Sequence, residues 1–229
     1  MSRHDELASN LQEVRAAIAQ CCLELGRDLP TLIVVTKTKP VSDMEILGSL
    51  GVTDVGENRD QEAKVKHDEC EAQFMWHAIG QLQTNKAKSV ATWADVVHSV
   101  DRPELVVALK KATSEREHPL HCLIQVNLDP DAPEHRGGCF PADVMELAGQ
   151  IAQCPGLELR GVMGVAPLDQ DPEPAFEVLQ QVSRELQIGY PQATWISAGM
   201  SDDYPKALKY GATHLRIGST ILGSRAVVG

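Results

Sequence analysis

Leu32-Ile33-Val34-Val35-Thr36-Lys37-Thr38-Lys39-Pro40 decides the fold. Four apolar residues in succession, the last three β-branched, predict a short strand covered on both faces. Upstream, Leu7, Leu11, Val14, Ile18 and Cys21 or Cys22 recur at three- and four-residue steps. That is one stripe of a helix over residues 3–25, with Gly26 placed to stop it. Downstream, Ser42 with Glu45 three residues later predicts a capping box opening the next helix.

The alternation then repeats. Short apolar segments at 52–55, 74–79, 95–100, 120–127, 157–165, 193–197 and 213–217 are separated by helical segments near 59–71, 84–93, 102–115, 141–153, 173–187 and 202–210. Strands separated by helices pair in parallel through right-handed crossovers. Eight such units predict a single-domain (β/α)8 TIM barrel over residues 31–225 with an extra N-terminal helix over 1–26, so that 1–229 form one domain. A doubly wound sheet is the competing architecture.

Composition narrows the function classes. With 43% apolar and 23% charged residues the chain is of globular type. No apolar run approaches the roughly 18 to 20 residues that span a bilayer, and the N-terminus shows no signal-peptide core, so a cytoplasmic protein without a membrane partner is expected. The net charge of -11 argues against nucleic acid, whose affinity rests on phosphate neutralisation. Six cysteines without a C-x-x-C pair predict reduced thiols and no zinc site. His118 and His121 flank Pro119 in poor metal geometry.

Chemistry in such a barrel is expected where strands give way to βα loops. Lys37 stands there, directly after a buried strand. Burial lowers an amine's pKa, and a neutral amine attacks a carbonyl; the plain alternative is a lysine that snorkels to solvent. Lys39 reads as a surface charge or secondary contact. After strands seven and eight, Gly199-Met200-Ser201 and Gly218-Ser219 offer hydroxyls and backbone N–H donors where phosphate sites commonly lie. Ser201 as an N-cap and Gly218 as a tight turn are the plain alternatives. Together with Lys37 the two turns point to a phosphorylated aldehyde. Asn58 is a second-strand candidate or an N-cap with Gln61. His77 reads as a core histidine, and Met200, His98 and His214 as packing residues. A buried Arg216 requires a carboxylate or a ligand acceptor.

Thr36-Lys37-Thr38-Lys39-Pro40, Gly56-Glu57-Asn58, His77-Ala78-Ile79-Gly80-Gln81-Leu82-Gln83-Thr84-Asn85-Lys86, Gly199-Met200-Ser201-Asp202-Asp203 and Arg216-Ile217-Gly218-Ser219 occur in order. From about residue 5 to Arg225 the chain resembles the pyridoxal phosphate homeostasis protein family. The resemblance implies a barrel like the N-terminal domain of alanine racemase (pyridoxal phosphate fold type III) that carries pyridoxal 5'-phosphate. It implies that Lys37 holds the cofactor as an aldimine and that Asn58 lies near its ring. Ser201, Gly218 and Ser219 would cradle the phosphate, with Ser197 and Met200 as neighbours, and Arg216 would face the pyridine nitrogen. Two departures stand out. Ser219 replaces a common threonine and keeps the hydroxyl, and His135-Arg136-Gly137-Gly138-Cys139 replaces a usual Lys-Ser-Gly stretch.

The resemblance further implies a non-catalytic cofactor binder that balances vitamin B6 and amino-acid pools. Release or transfer of the cofactor to apoenzymes is the leading expectation, and a monomer is expected because no second domain is read in the sequence. A weakly active amino-acid racemase is the alternative. It lacks support from a second domain or from a tyrosine placed to reach the ring, since Tyr190, Tyr204 and Tyr210 fall in or beside helices. A cofactor-free lysine aldolase is a third reading.

Overall fold

The computed structural model describes residues 2–129 and 137–223. Its centre is a closed barrel of eight parallel strands in sequence order. These are β1 (Thr31–Val35), β2 (Asp54–Glu57), β3 (Met75–Ala78), β4 (Val96–Val100), β5 (Leu120–Val126), β6 (Leu157–Gly164), β7 (Trp195–Ser197) and β8 (His214–Ile217). Around them run α1 (Arg3–Leu25), α2 (Val41–Ser49), α3 (Asp60–Glu69), α4 (Ala87–Val90), α5 (Pro103–Ala112), α6 (Val144–Ala152), α7 (Glu173–Gly189), α8 (Tyr204–Lys209) and α9 (Ser219–Leu222). The predicted barrel and additional first helix are both present. Arg225, the predicted end, and His135 and Arg136 lie outside the described residues.

Helix α1 forms as its sequence dictates. Ser2 and Asp5 close a reciprocal capping box, and Gly26 ends the helix in the left-handed region at φ 63°. The stripe Leu7, Leu11, Val14, Ile18 and Cys22 is buried. The second expected capping box is not formed. Helix α2 starts after Pro40, and Ser42 makes no cap. Proline's preset φ suits that entry. Glu45 instead accepts the backbone N–H groups of Glu71 and Ala72.

Register assigns each strand residue to a face, because paired residues of neighbouring strands project the same way. Ile33 pairs with Asp54 and Arg216, Gly56 with His77, His77 with Val96, and Ser197 with His214. These residues face the lumen, which Val96, Leu123, Met163 and the partly buried Trp195 help to fill. The opposite face, including Val34, Val55, Trp76, Ala78 and Val97, packs against the helices in the larger apolar layer. By this alternation Lys37, two residues beyond Val35, takes lumen parity at the strand-end mouth. Strands β7, β8, β1 and β2 are consecutive around the ring, so their ends form one side of that mouth.

The six cysteines are free. No helix among the described residues is long and apolar enough to cross a membrane, and these residues hold no metal-type cluster.

Candidate functional site at the strand-end mouth

The turn after β1 is built by residues far from it in sequence. Thr36 is buried and donates its hydroxyl to Glu57 Oε1 at 2.7 Å. Lys66, on α3, reaches the Thr36 carbonyl at 2.8 Å, Glu57 Oε1 at 2.8 Å and Glu62 Oε1 at 2.6 Å. Glu62 accepts the Thr38 backbone N–H at 2.5 Å. Thr38 itself stands at φ 66°, a costly conformation for a β-branched residue. One buried ion network therefore sets the backbone on both sides of Lys37. Burial pushes the Glu57 carboxyl above its ordinary value, while Lys66 and Thr36 pull it back only in part.

Lys37 is exposed and has no hydrogen bond or ion pair among the described residues. The expectation of an ammonium close to the low-dielectric interior is thus corrected: the strand ends at Val35, and Thr36 is the last buried residue. Lys39 donates to the Leu222 carbonyl at 2.8 Å, tying the same turn to α9.

Asn58 is also exposed, with no side-chain partner among the described residues. It caps nothing, because α3 begins after Arg59. Nor does Ser201 cap α8, whose N-cap is Asp203. Met200 is exposed, and its backbone N–H donates to Asp203 Oδ1 at 2.5 Å. The hydroxyls of Ser201 and Ser219 have no partner among the described residues. The plain structural jobs open to Asn58 and Ser201 are thus held by other residues.

Two glycines bring the backbone close. Gly199 has φ 92°, and a Cβ there would lie 2.8 Å from the Ala207 Cβ. At Gly218 a Cβ would lie 3.0 Å from the Val35 carbonyl oxygen. The β8 turn is thereby seated against the strand that leads to Lys37.

Beneath the mouth lies Arg216, buried, with no carboxylate in contact among the described residues. It donates to Ser197 Oγ at 2.5 Å and to the Gly164 carbonyl at 2.9 Å. Of the two partners expected, a carboxylate or a ligand acceptor, no carboxylate is in contact among the described residues, and desolvation lowers the guanidinium pKa to about 10. Among the described residues, two of its five donors are used.

Behind Ser197 the polar groups continue. His98 Nδ1 lies 3.0 Å from Ser197 Oγ, His98 Nε2 lies 2.9 Å from His77 Nδ1, and His77 Nε2 lies 2.9 Å from Asp54 Oδ1. Burial holds His98 well below its ordinary pKa and takes His214 to about 3. His98 therefore does more than pack, contrary to expectation, while His77 is the hydrogen-bonded core residue predicted. Neither Asp54 nor the Glu57–Glu62–Lys66 group was singled out in the sequence. The signal available was the four-residue spacing of Glu62 and Lys66 on α3, which suits an ion pair.

The sequence profile of the alanine racemase N-terminal domain matches residues 3–226. The chain belongs to that family. Its relatives include the pyridoxal phosphate homeostasis protein of Escherichia coli K12, 34% identical over 96% of this chain and 97% of its own length. The protein of that name from Mycobacterium tuberculosis H37Rv is 38% identical over 97% and 94%. Among solved structures, PipY of Synechococcus elongatus with pyridoxal phosphate bound superimposes with a TM-score of 0.83 at 32% identity, covering 95% of this chain and all of that one. Alanine racemase from Corynebacterium glutamicum shares the family fold, with a TM-score of 0.74 at 12% identity over 99% of this chain and 62% of that one.

Proposed function

We propose that this chain binds pyridoxal 5'-phosphate at the mouth formed by β7, β8, β1 and β2, with Lys37 as covalent anchor. Its role is to hold the cofactor and pass it to apoenzymes, keeping vitamin B6 and amino-acid pools in balance. The observation that carries the reading is an exposed primary amine, unpartnered among the described residues, on the turn after β1, the strand that pairs with β8 and whose Val35 the Gly218 turn abuts.

The residues present fit the group. At Gly218 and Gly199 an added Cβ would meet Val35 or Ala207, so the lack of a side chain lets both turns pack closely at the mouth. The free hydroxyls of Ser201 and Ser219 suit a phosphate's acceptor oxygens. Arg216 keeps unused donors for a ring nitrogen. Relatives named for pyridoxal phosphate homeostasis, and the PipY complex, support the same cofactor.

When bound, the cofactor supplies an aldehyde that condenses with a primary amine and releases water. The chain's part is to hold that amine in place: Glu62 and Lys66 fix the turn on which Lys37 stands. Asn58 would lie near the ring and Met200 beside the phosphate turn. Arg216, a donor only, leaves the ring nitrogen without a proton of its own. Because Lys37 is exposed, an incoming amine can compete with it, which provides a route of release.

Borohydride treatment of the loaded protein, followed by peptide mapping, tests the anchor. The label is expected on Lys37, and Lys37→Ala is expected to lose it. Stoichiometric labelling elsewhere in that variant would overturn the assignment. Transfer is read by activation of an apoenzyme in the presence of a trap for free cofactor. Deuterium entering alanine at the rate of a dedicated racemase would replace holding by catalysis. Light scattering checks the proposed monomer.

A further inference from the structure

The five polar groups that cross the barrel lumen have one internally consistent proton order. Arg216 has donors only, so Ser197 Oγ accepts from it. The Ser197 hydroxyl proton then has one acceptor in reach, His98 Nδ1. A neutral His98 with Nδ1 accepting carries its proton on Nε2 and donates to His77 Nδ1. His77 in turn donates from Nε2 to Asp54 Oδ1. The far end is an acceptor only. Burial alone would raise the Asp54 carboxyl, but hydrogen bonds from His77 and Thr53 outweigh it and hold the group below its ordinary value. The reverse order requires a charged His77 and strands the Ser197 hydroxyl proton without an acceptor among the described residues.

We infer that Asp54, His77, His98 and Ser197 form a directed hydrogen-bond relay that positions Arg216 from the floor of the barrel. This rests on the reading that Arg216 faces the cofactor ring. The chain runs from a buried cation to a partly exposed anion through neutral links. Each link's dipole points the same way, so each strengthens the next. The Arg216 charge touches no carboxylate among the described residues and is favoured through space by Asp203, so the line acts by fixing the guanidinium's place through hydrogen bonds. Asp54 is a positioning residue at the opposite end of the lumen from the mouth, and its influence arrives through three side chains.

The relay and the cofactor reading are tested separately. Imidazole nitrogen NMR on the cofactor-free protein at neutral pH reads the proton order directly. Both His77 and His98 are expected neutral, with the proton on Nε2. A proton on Nδ1 of either ring, or a doubly protonated His77, overturns the relay whatever the protein binds. In the loaded protein, Asp54→Ala removes the terminal acceptor. It is expected to weaken pyridoxal phosphate binding about fivefold and to displace its visible absorption maximum. Asp54→Asn keeps an acceptor oxygen in the same place and is expected to restore both, with the histidine tautomers unchanged. Unaltered affinity and spectrum in Asp54→Ala overturn the positioning role. Failure of the unmodified protein to bind pyridoxal phosphate defeats the cofactor reading while leaving the tautomer result intact.

Discussion

Two lysines at the β1 end of the barrel are treated in opposite ways. Lys66 is buried and held by two carboxylates and a carbonyl. Lys37, on the turn that Lys66 braces, is exposed and held by nothing among the described residues. The same contrast separates the lumen from the mouth. Inside, Arg216, Ser197, His98, His77 and Asp54 are linked one to the next. At the rim, Asn58, Ser201 and Ser219 have polar groups to spare. The partnered set holds the fold together, and the set left open is where cofactor binding is proposed.

The sharpest way to break that contrast is to remove each lysine in turn. Lys37→Ala is expected to abolish borohydride-trapped cofactor while changing folding stability by less than about 0.5 kcal/mol, as at other exposed sites. Lys66→Ala is expected to cost about 3–5 kcal/mol, since it leaves buried Glu57 without its cation. Urea unfolding measures both, and equal stability losses would erase the distinction.

Acid probes the lumen next. Folded His98 and His214 have depressed pKa values, so below the ordinary 6.5 the unfolded chain binds the protons first. Their contribution is intact above pH 6.5 and is lost as pH falls toward the folded values, the His214 one being about 3. Each group gives a slope of about 1.4 kcal/mol per pH unit. Moving from pH 7.5 to 5.5 is therefore expected to remove about 2–3 kcal/mol, and an unchanged urea midpoint would contradict neutral burial. The smallest effect belongs to the rim. Gly218→Ala sets a methyl 3.0 Å from the Val35 carbonyl. It is expected to cost about 1 kcal/mol of stability and to weaken cofactor binding. Tight binding in that variant would remove the β8 turn from the phosphate cradle.

The alternation of strand and helix was legible because runs such as Leu32–Val35 need cover on both faces, and intervening helices provide it. Gly26 was legible for the same local reason. The Ser42 and Glu45 pair misled because a distant backbone segment, Glu71 and Ala72, claimed the glutamate. Lys37 was legible as a position but not as an environment, since exposure depends on where the strand ends. The lumen relay was out of reach of sequence spacing. It joins Asp54 to Arg216 through β3, β4 and β7, and only barrel closure puts those faces opposite one another.

The short helix α9 has its carbonyls taken from two sides. Arg3 and Lys39 both donate to Leu222 O, and Asn10 donates to Ile221 O. Tipping α9 outward would sever bonds to α1 and to the Lys37 turn together. A molecule leaving the proposed site past α9 would therefore depart over a fixed sill.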